Sequence, residues 1–139
     1  MITGVMAIVY DDMGDPFYLI FKRNSNWKGW EFLKGKIKGG ETPEQAVERT
    51  IKEDAGLGKY KMKKKLSQTR KYAKNGTEQE LAVFLIESET YIPVKNYKVS
   101  KKHDSYIWVK EGEVLQKLNW DNEKDIFKIA TDIIKKKSF

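Results

Sequence analysis

Runs of apolar and β-branched residues alternate with polar, turn-forming residues along the first half of the chain. Residues 2–10 and 17–23 have the composition of strands, and the turn-forming residues 11–16 between them predict a hairpin. Further segments predicted as strands are residues 30–33, 59–74 (one strand or two, with a basic face), 80–88 with a continuous apolar centre, and 106–109. Asn75-Gly76 predicts a second hairpin turn.

Two segments show the periodicity of helices. Residues 43–55 follow Thr42, a good N-cap, with Pro43 at the first helical position and Gln45 completing a capping box. Residues 122–137 carry an apolar stripe made of Ile126, Ile129, Ala130, Ile133 and Ile134. The glycine-containing residues 35–40 are predicted to be a loop, and residues 91–103 to be irregular. These elements predict an α+β fold with a mixed β-sheet, one internal helix and one C-terminal helix.

Length and composition narrow the class of protein. The 139 residues suit one domain, and the absence of cysteine excludes disulfides and thiolate chemistry. No apolar run reaches the length of a membrane span, and a strand-like segment follows Met1 directly, so a cytoplasmic protein is expected. The net charge of +7 comes almost entirely from lysine. This charge suits anionic partners such as polyphosphates or RNA 5′ ends, but a solvated basic surface explains it as well.

A spaced set of glycine, acidic and basic residues occupies positions 35–57. The residues in register are Gly35, Glu41, Arg49, Ile51, Glu53, Gly56 and Leu57. Their spacing closely resembles the signature of the Nudix hydrolases, which cleave nucleoside diphosphates linked to another group. The resemblance covers nearly the whole chain and implies one Nudix domain over residues 1–139. It also implies an α/β/α sandwich with the mixed β-sheet between helices.

The resemblance further implies a site for Mg²⁺ or Mn²⁺. In the family, the residue before the signature glycine offers its carbonyl to the metal, which carries over to Lys34, and two acidic positions carry over to Glu53 and Asp54. Hard divalent cations prefer such oxygen ligands. Carboxylates at a helix C-terminus oppose the helix dipole, so a functional role explains Glu53 and Asp54 better than a solvated helix end does. Arg49 is expected to orient these acids.

The remaining signature residues are expected to shape the loop, and two positions depart from the family pattern. Glu41 is expected to brace the loop, whose conformation Gly35 and Gly40 would allow. Thr50 stands where the family has a catalytic or metal-binding glutamate, and a threonine hydroxyl is no base near neutral pH. Residues 100–109 resemble a family segment that contains a further acid in some members, and Lys102 stands at that position.

The segment before the signature bears on the substrate. Residues 30–37 resemble a segment of the Nudix diadenosine tetraphosphate hydrolases, and also that of enzymes acting on oxidised deoxyguanosine triphosphate. The Lys34-Gly35 pair, together with residues 120–123 before a lysine-rich helix, favours the dinucleoside polyphosphate. The predicted substrate contacts are phosphate binding by Arg23, Lys34 and Lys36, and base stacking by Tyr72 or Trp27. Solvated or core-edge roles remain open for Arg23 and Trp27.

Two hypotheses of function follow. The first is a metal-dependent hydrolase in which water attacks a phosphorus atom of a dinucleoside polyphosphate. Its predicted catalytic residues are Glu53, Arg49 and Thr50, all on the signature helix. The second is a catalytically impaired Nudix domain that binds nucleotides or RNA 5′ ends. Thr50, Lys102 and the net charge favour the second, whereas Glu53, Asp54 and the glycine loop favour the first. Neither a protein partner nor a membrane is indicated.

Overall fold

The computed structural model of the protein describes residues 1–24, 28–97 and 102–139. The strands in this part of the chain are β1 (Gly4–Asp11), β2 (Phe17–Arg23), β3 (Gly29–Glu31), β4 (Leu33–Lys36), β5 (Lys61–Lys74), β6 (Thr77–Glu87) and β7 (His103–Lys110). The helices are α1 (Pro43–Asp54), α2 (Glu111–Lys117) and α3 (Asp121–Lys136). None of the helices in these ranges is both long and apolar enough to cross a membrane.

Strand β1 lies at the centre of a mixed sheet. The strand order is β3-β2-β1-β6-β5, with β4 also paired to β1 and β7 to β2. The first half of β1 pairs antiparallel with β4 and its second half with β2, whereas β6 runs parallel to β1 along nearly its whole length. Because β1 has partners on both edges, its backbone hydrogen bonds are made within the sheet. This arrangement brings β4 next to the middle of the sheet, where α1 packs against β4 and β1.

The two faces of the sheet carry separate apolar cores, each covered by helix. Odd-numbered residues of β1 (Val5, Ala7 and Val9) pack in the cluster that contains Val47 and Ile51 of α1. Even-numbered residues (Met6, Ile8 and Tyr10) pack in the cluster that contains Phe127 and Ala130 of α3. A strand buried on both faces needs a continuous apolar sequence, which β1 has. The predicted α+β sandwich, with a mixed sheet between helices, is therefore confirmed.

Local predictions were confirmed for the main elements and corrected at several boundaries. The 11–16 hairpin forms, and the capping box is present, with the Gln45 N–H donating to Thr42 Oγ1 at 3.1 Å. Residues 35 and 36 were wrongly predicted as loop, because they pair with β1 as part of β4. The last strand begins at His103 instead of Tyr106. Helix α2 was not predicted, since its seven residues bury one side chain, Val114, and show no amphipathic repeat.

Candidate metal and nucleotide site

The loop between β4 and α1 is closed by a turn that only glycine adopts easily. The Glu41 N–H donates to the Lys38 carbonyl at 3.0 Å, and Gly40 within this turn has φ +83°. A left-handed φ is costly for residues with a Cβ, which explains a glycine at this position. The turn places Glu41 directly before the helix, with its side chain towards Arg49.

Arg49 fastens this loop to the helix. Its Nε donates to Glu41 Oε2 at 2.7 Å and its Nη2 to Glu41 Oε1 at 3.0 Å, while Nη2 also donates to the Lys36 carbonyl at 2.6 Å. Hydrogen bonds from Arg49 and from the Lys38 N–H lower the pKa of Glu41 to about 2, so the carboxylate stays ionised near neutral pH. The remaining Nη1 donates to Glu53 Oε1 at 3.2 Å. One guanidinium therefore orients the loop, Glu41 and Glu53 together.

Close contact between β4 and α1 determines where Thr50 lies. A Cβ at Gly35 would come within 2.0 Å of Thr50 Oγ1, so glycine is needed for this approach. Thr50 is 2% exposed, and its hydroxyl donates to the Ala46 carbonyl at 2.8 Å. The hydroxyl is thus turned into the helix and is not placed to hold a water molecule from solvent. This geometry weighs against the predicted catalytic role of Thr50.

The two candidate metal ligands differ in exposure and each already has a cationic neighbour. Glu53 is half-exposed and contacts Arg49. Asp54 is largely buried, and Lys102 Nζ lies 3.4 Å from its Oδ2. Lys102 stands where some family members have an acid, so a cation replaces an anion beside the metal position implied by the resemblance. We refer to Glu41, Arg49, Glu53, Asp54 and Lys102 as the signature cluster.

A second set of charged side chains centres on the buried carboxylate of Glu31. Its Oε2 lies 2.7 Å from His103 Nε2 and 3.2 Å from Arg23 Nη1, and its Oε1 lies 3.2 Å from Lys34 Nζ. Burial by itself raises the pKa of Glu31, but His103, Lys34 and Arg23 outweigh that effect and hold it at about 2. An ionised carboxylate is an acceptor only, so His103 Nε2 carries the proton in this contact.

Lys34 connects Glu31 to another buried carboxylate on α3. Lys34 Nζ is 2.8 Å from Glu123 Oε2, and Arg70 Nη2 lies 3.3 Å from the same oxygen. Arg70 also stacks at 5.0 Å over the ring of Tyr72. We call Arg23, Glu31, Lys34, Arg70, His103 and Glu123 the buried network, after its two buried carboxylates. Arg23 and Lys34 keep 18% of their side chains exposed. Moving Lys34 to a phosphate would take a cation from two buried carboxylates, which is costly.

The residues predicted to bind substrate therefore have different environments. Arg23 and Lys34 belong to the buried network, Tyr72 lies beside it, and the Lys36 side chain is exposed at the end of β4. Trp27 falls outside the described residues. A groove of about 550 Å³, lined by residues including Asp11, Lys59 and Tyr91, contains none of the predicted site residues.

Sequence reasoning missed the pairing of Glu31 and Glu123 through Lys34. For Glu123 a signal was available, because it lies three and four residues before Ile126 and Phe127 and therefore on the apolar stripe of α3. An acid on such a stripe predicts a buried cationic partner. No comparable signal marks Glu31, whose short strand of three residues shows no periodicity.

The signature cluster contains the type of ligand atom, carboxylate oxygen, that a divalent cation such as Mg²⁺ prefers. Glu53 and Asp54 are neighbouring oxygen donors, and Mg²⁺ is commonly held by one or two carboxylates, with water and phosphate oxygens completing its shell. Within the described ranges, no group of three or more histidine or acidic side chains is arranged to hold a metal. A metal at this position would depend on oxygens from the backbone, from water or from a bound phosphate.

Comparison with known proteins agrees with this fold. The sequence matches the NUDIX domain family over residues 2–129, so the chain belongs to the Nudix family. It is similar to a C. elegans Ap4A hydrolase solved as a binary complex, with a TM-score of 0.81 and 16% identity over 96% of this chain and 98% of that one. It is also similar to a Nudix hydrolase from M. smegmatis, RenU, with a TM-score of 0.72 and 16% identity over 95% and 88% of the two chains.

A shorter match joins the chain to a curated relative. A stretch of 50 residues is 36% identical to an RNA pyrophosphohydrolase of Marinomonas sp. (strain MWYL1), covering 36% of this chain and 31% of that protein. The aligned region thus spans about a third of each protein. At these levels of identity the solved structures establish the shared fold, and fold alone does not determine a substrate.

Proposed function

We propose that the protein is a metal-dependent Nudix hydrolase that cleaves a nucleoside-diphosphate-linked substrate by attack of water on phosphorus. The observation that carries this proposal is the pair of adjacent carboxylates, Glu53 and Asp54, at the end of a helix whose loop is fastened by Arg49. Such an arrangement provides oxygen ligands on a rigid support. Rigid positioning is what phosphoryl transfer requires most from a protein.

In this proposal the residues of the signature cluster have distinct tasks. Glu53 and Asp54, with the carbonyl of Lys34, hold a Mg²⁺ or Mn²⁺ ion, which when bound neutralises phosphate charge and lowers the pKa of a water molecule. Arg49 keeps Glu53 in position through its 3.2 Å contact and holds the loop through Glu41. Lys36, whose side chain is exposed, binds the phosphate chain.

The proposed substrate is a dinucleoside polyphosphate such as diadenosine tetraphosphate. The net charge of +7 and the exposed Lys36 favour a ligand with several phosphates over one with few. One of the proteins that share this fold is an Ap4A hydrolase. We propose the cytoplasm as the place of this activity.

A nucleotide panel tests the proposal directly. The protein would be incubated with diadenosine tetraphosphate, ADP-ribose, oxidised deoxyguanosine triphosphate and 5′-triphosphate RNA, each with Mg²⁺, with Mn²⁺ or with a chelator. Products would be identified by chromatography. We expect metal-dependent cleavage and the highest kcat/KM for diadenosine tetraphosphate. Equal rates with metal and with chelator would reject the metal-dependent mechanism, and a higher kcat/KM for the mononucleoside triphosphate would reject the substrate.

The second candidate is a Nudix domain that binds nucleotides or RNA 5′ ends without cleaving them. Two observations favour it: the Thr50 hydroxyl is bonded inside the helix, and the Lys102 ammonium lies beside Asp54. Binding measured by calorimetry for the same four ligands separates the candidates. Tight binding of a ligand that stays intact over hours with Mn²⁺ would support this function and contradict the hydrolase.

A further inference from the structure

The charge around the candidate metal ligands differs from what the signature leads one to expect. Three carboxylates (Glu41, Glu53 and Asp54) and two cations (Arg49 and Lys102) leave the signature cluster with a net charge of −1. Glutamates at positions 50 and 102 would make five carboxylates against Arg49 alone, a net charge of −4. The site of this chain therefore attracts a divalent cation much less strongly than a site with those two glutamates would.

Lys102 is directed at the less accessible of the two ligands. Asp54 exposes 9% of its side chain, and its Oδ2 faces the Lys102 ammonium at 3.4 Å. In the described part of the chain, Lys102 supplies the cationic partner of this carboxylate. The Lys102 side chain is itself 41% exposed and lies in contact with this largely buried carboxylate. A metal ion approaching from solvent must displace this ammonium before it can bind Oδ2.

The backbone of Lys102 is held at its own carbonyl and at the residue that follows it. The Asn24 N–H donates to the Lys102 carbonyl at 3.2 Å, and the next residue, His103, is buried and bonded to Glu31 at 2.7 Å. These contacts hold the start of β7 against the end of β2 and against β3, and the Lys102 side chain reaches from there to Asp54 at the end of α1. The Lys102–Asp54 contact therefore joins two positioned elements, unlike a pair of long side chains on a mobile surface.

We propose that Lys102 is a tethered cation that competes with the divalent metal for Asp54 and so weakens metal binding at this site. The inference rests on the proposed function only in taking Glu53 and Asp54 as the metal ligands. It deepens that proposal by naming one residue, Lys102, that lowers the affinity of the site for the metal. When Lys102 is removed, Asp54 is left as an open carboxylate beside Glu53, and the site gains one unit of negative charge.

Metal titration without nucleotide tests this inference independently of turnover. Mn²⁺ binding would be followed by the electron paramagnetic resonance signal of the free ion at low ionic strength, for the wild type and for Lys102→Met, which keeps the aliphatic stem. We expect Lys102→Met to bind Mn²⁺ at least about tenfold more tightly, because a unit charge near 4 Å is only partly screened at a protein surface. Lys102→Gln should show the same direction, and Lys102→Arg should stay within about threefold of the wild type because it keeps the charge.

Two further variants locate the effect. Lys110→Met removes the same charge from the other end of β7, where the side chain pairs with Asp15, and should leave Mn²⁺ binding unchanged. Asp54→Asn in the Lys102→Met background should abolish the gain. Circular dichroism and urea midpoints would verify that each variant is folded.

The outcomes separate the inference from the proposed function. Tight and equal Mn²⁺ binding by the wild type and Lys102→Met would overturn the inference and leave the hydrolase standing. Failure of both to bind Mn²⁺ would overturn the inference and also count against a metal-dependent hydrolase. A gain in Lys102→Met that survives Asp54→Asn would overturn the assignment of Asp54 as the contested ligand.

Discussion

The signature cluster and the buried network are both made of acids held by basic side chains, but they differ in exposure. In the signature cluster Glu53 keeps 53%, Glu41 19% and Asp54 9% of the side chain exposed. In the buried network Glu31 and Glu123 keep only 2% and 1%. Exposed ion pairs contribute little to stability, so their residues are free to exchange partners with a ligand. Removing the partner of a buried charge costs several kcal/mol, about 3–5. The basic residues of the buried network therefore stabilise the fold and are not available to a ligand.

This contrast changes how the basic residues near the site are interpreted. Lys34 and Lys36 are two residues apart in β4, yet Lys34 lies between two buried carboxylates and Lys36 is exposed. Of these two lysines, only Lys36 offers a charge that a phosphate can take up without disrupting the interior. The following predictions test whether the signature cluster serves chemistry and the buried network serves stability.

Replacing Glu53 should have the largest effect, and it should fall on catalysis. Glu53→Gln removes a proposed metal ligand and is expected to lower kcat by about 10²–10⁴. The free energy of unfolding should change by less than about 0.5 kcal/mol, because the side chain is half-exposed. Steady-state kinetics and urea unfolding measure the two quantities, with Glu44→Gln on the same helix as the control. A variant that keeps wild-type turnover would show that Glu53 does not act in the site.

Replacing Glu123 should produce the opposite pattern. Glu123→Ala leaves Lys34 and Arg70 without their shared buried carboxylate and is expected to cost about 3–5 kcal/mol of stability. The control is Glu113→Ala, whose exposed pair with Lys117 at 3.9 Å should contribute less than about 0.5 kcal/mol. Urea unfolding at neutral pH gives both values. Similar small losses for the two variants would contradict the structural role of the buried network.

The pH dependence of stability should depend on Glu31. Its pKa of about 2 in the folded state lies below the unfolded value of 4.5, so its ionised form stabilises the fold above about pH 5. This contribution, about 3 kcal/mol in full, is lost progressively as the pH falls towards 2. Glu31→Gln should flatten that part of the stability curve relative to the wild type, as measured by urea unfolding between pH 7 and pH 3. Parallel curves for the two proteins would show that Glu31 does not carry this effect.

Replacing Lys36 should have the smallest effect and should alter only substrate choice. Lys36→Ala removes an exposed ammonium but keeps the carbonyl that accepts from Arg49, so folding should be unaffected. We expect the ratio of kcat/KM for diadenosine tetraphosphate over ADP-ribose to fall by about 5-fold, in the range of one charge-assisted hydrogen bond. Lys38→Ala, in the same loop, is the control. An equal fall in both variants would indicate a general charge effect instead of a specific contact.

Local sequence determined the signature helix and much of the sheet. Thr42, Pro43 and Gln45 specify the start of α1 through a capping box that depends only on neighbouring residues. The continuous apolar run of β1 requires cover on both faces of the sheet, and α1 and α3 provide it. Gly35, Glu41, Arg49 and Glu53 could be identified because their spacing is set within 19 consecutive residues.

The tertiary structure alone decided which charges meet. Glu31 and Glu123 are 92 positions apart, and Lys102 is 48 positions from Asp54, so no local pattern could indicate their contacts. The same is true of Thr50, whose burial follows from the close approach of α1 to β4 at Gly35. Side-chain periodicity reports which face of an element is buried, but the partner of a buried charge depends on how distant elements pack. For that reason Lys34 and Lys36, alike in sequence, have different roles in the folded protein.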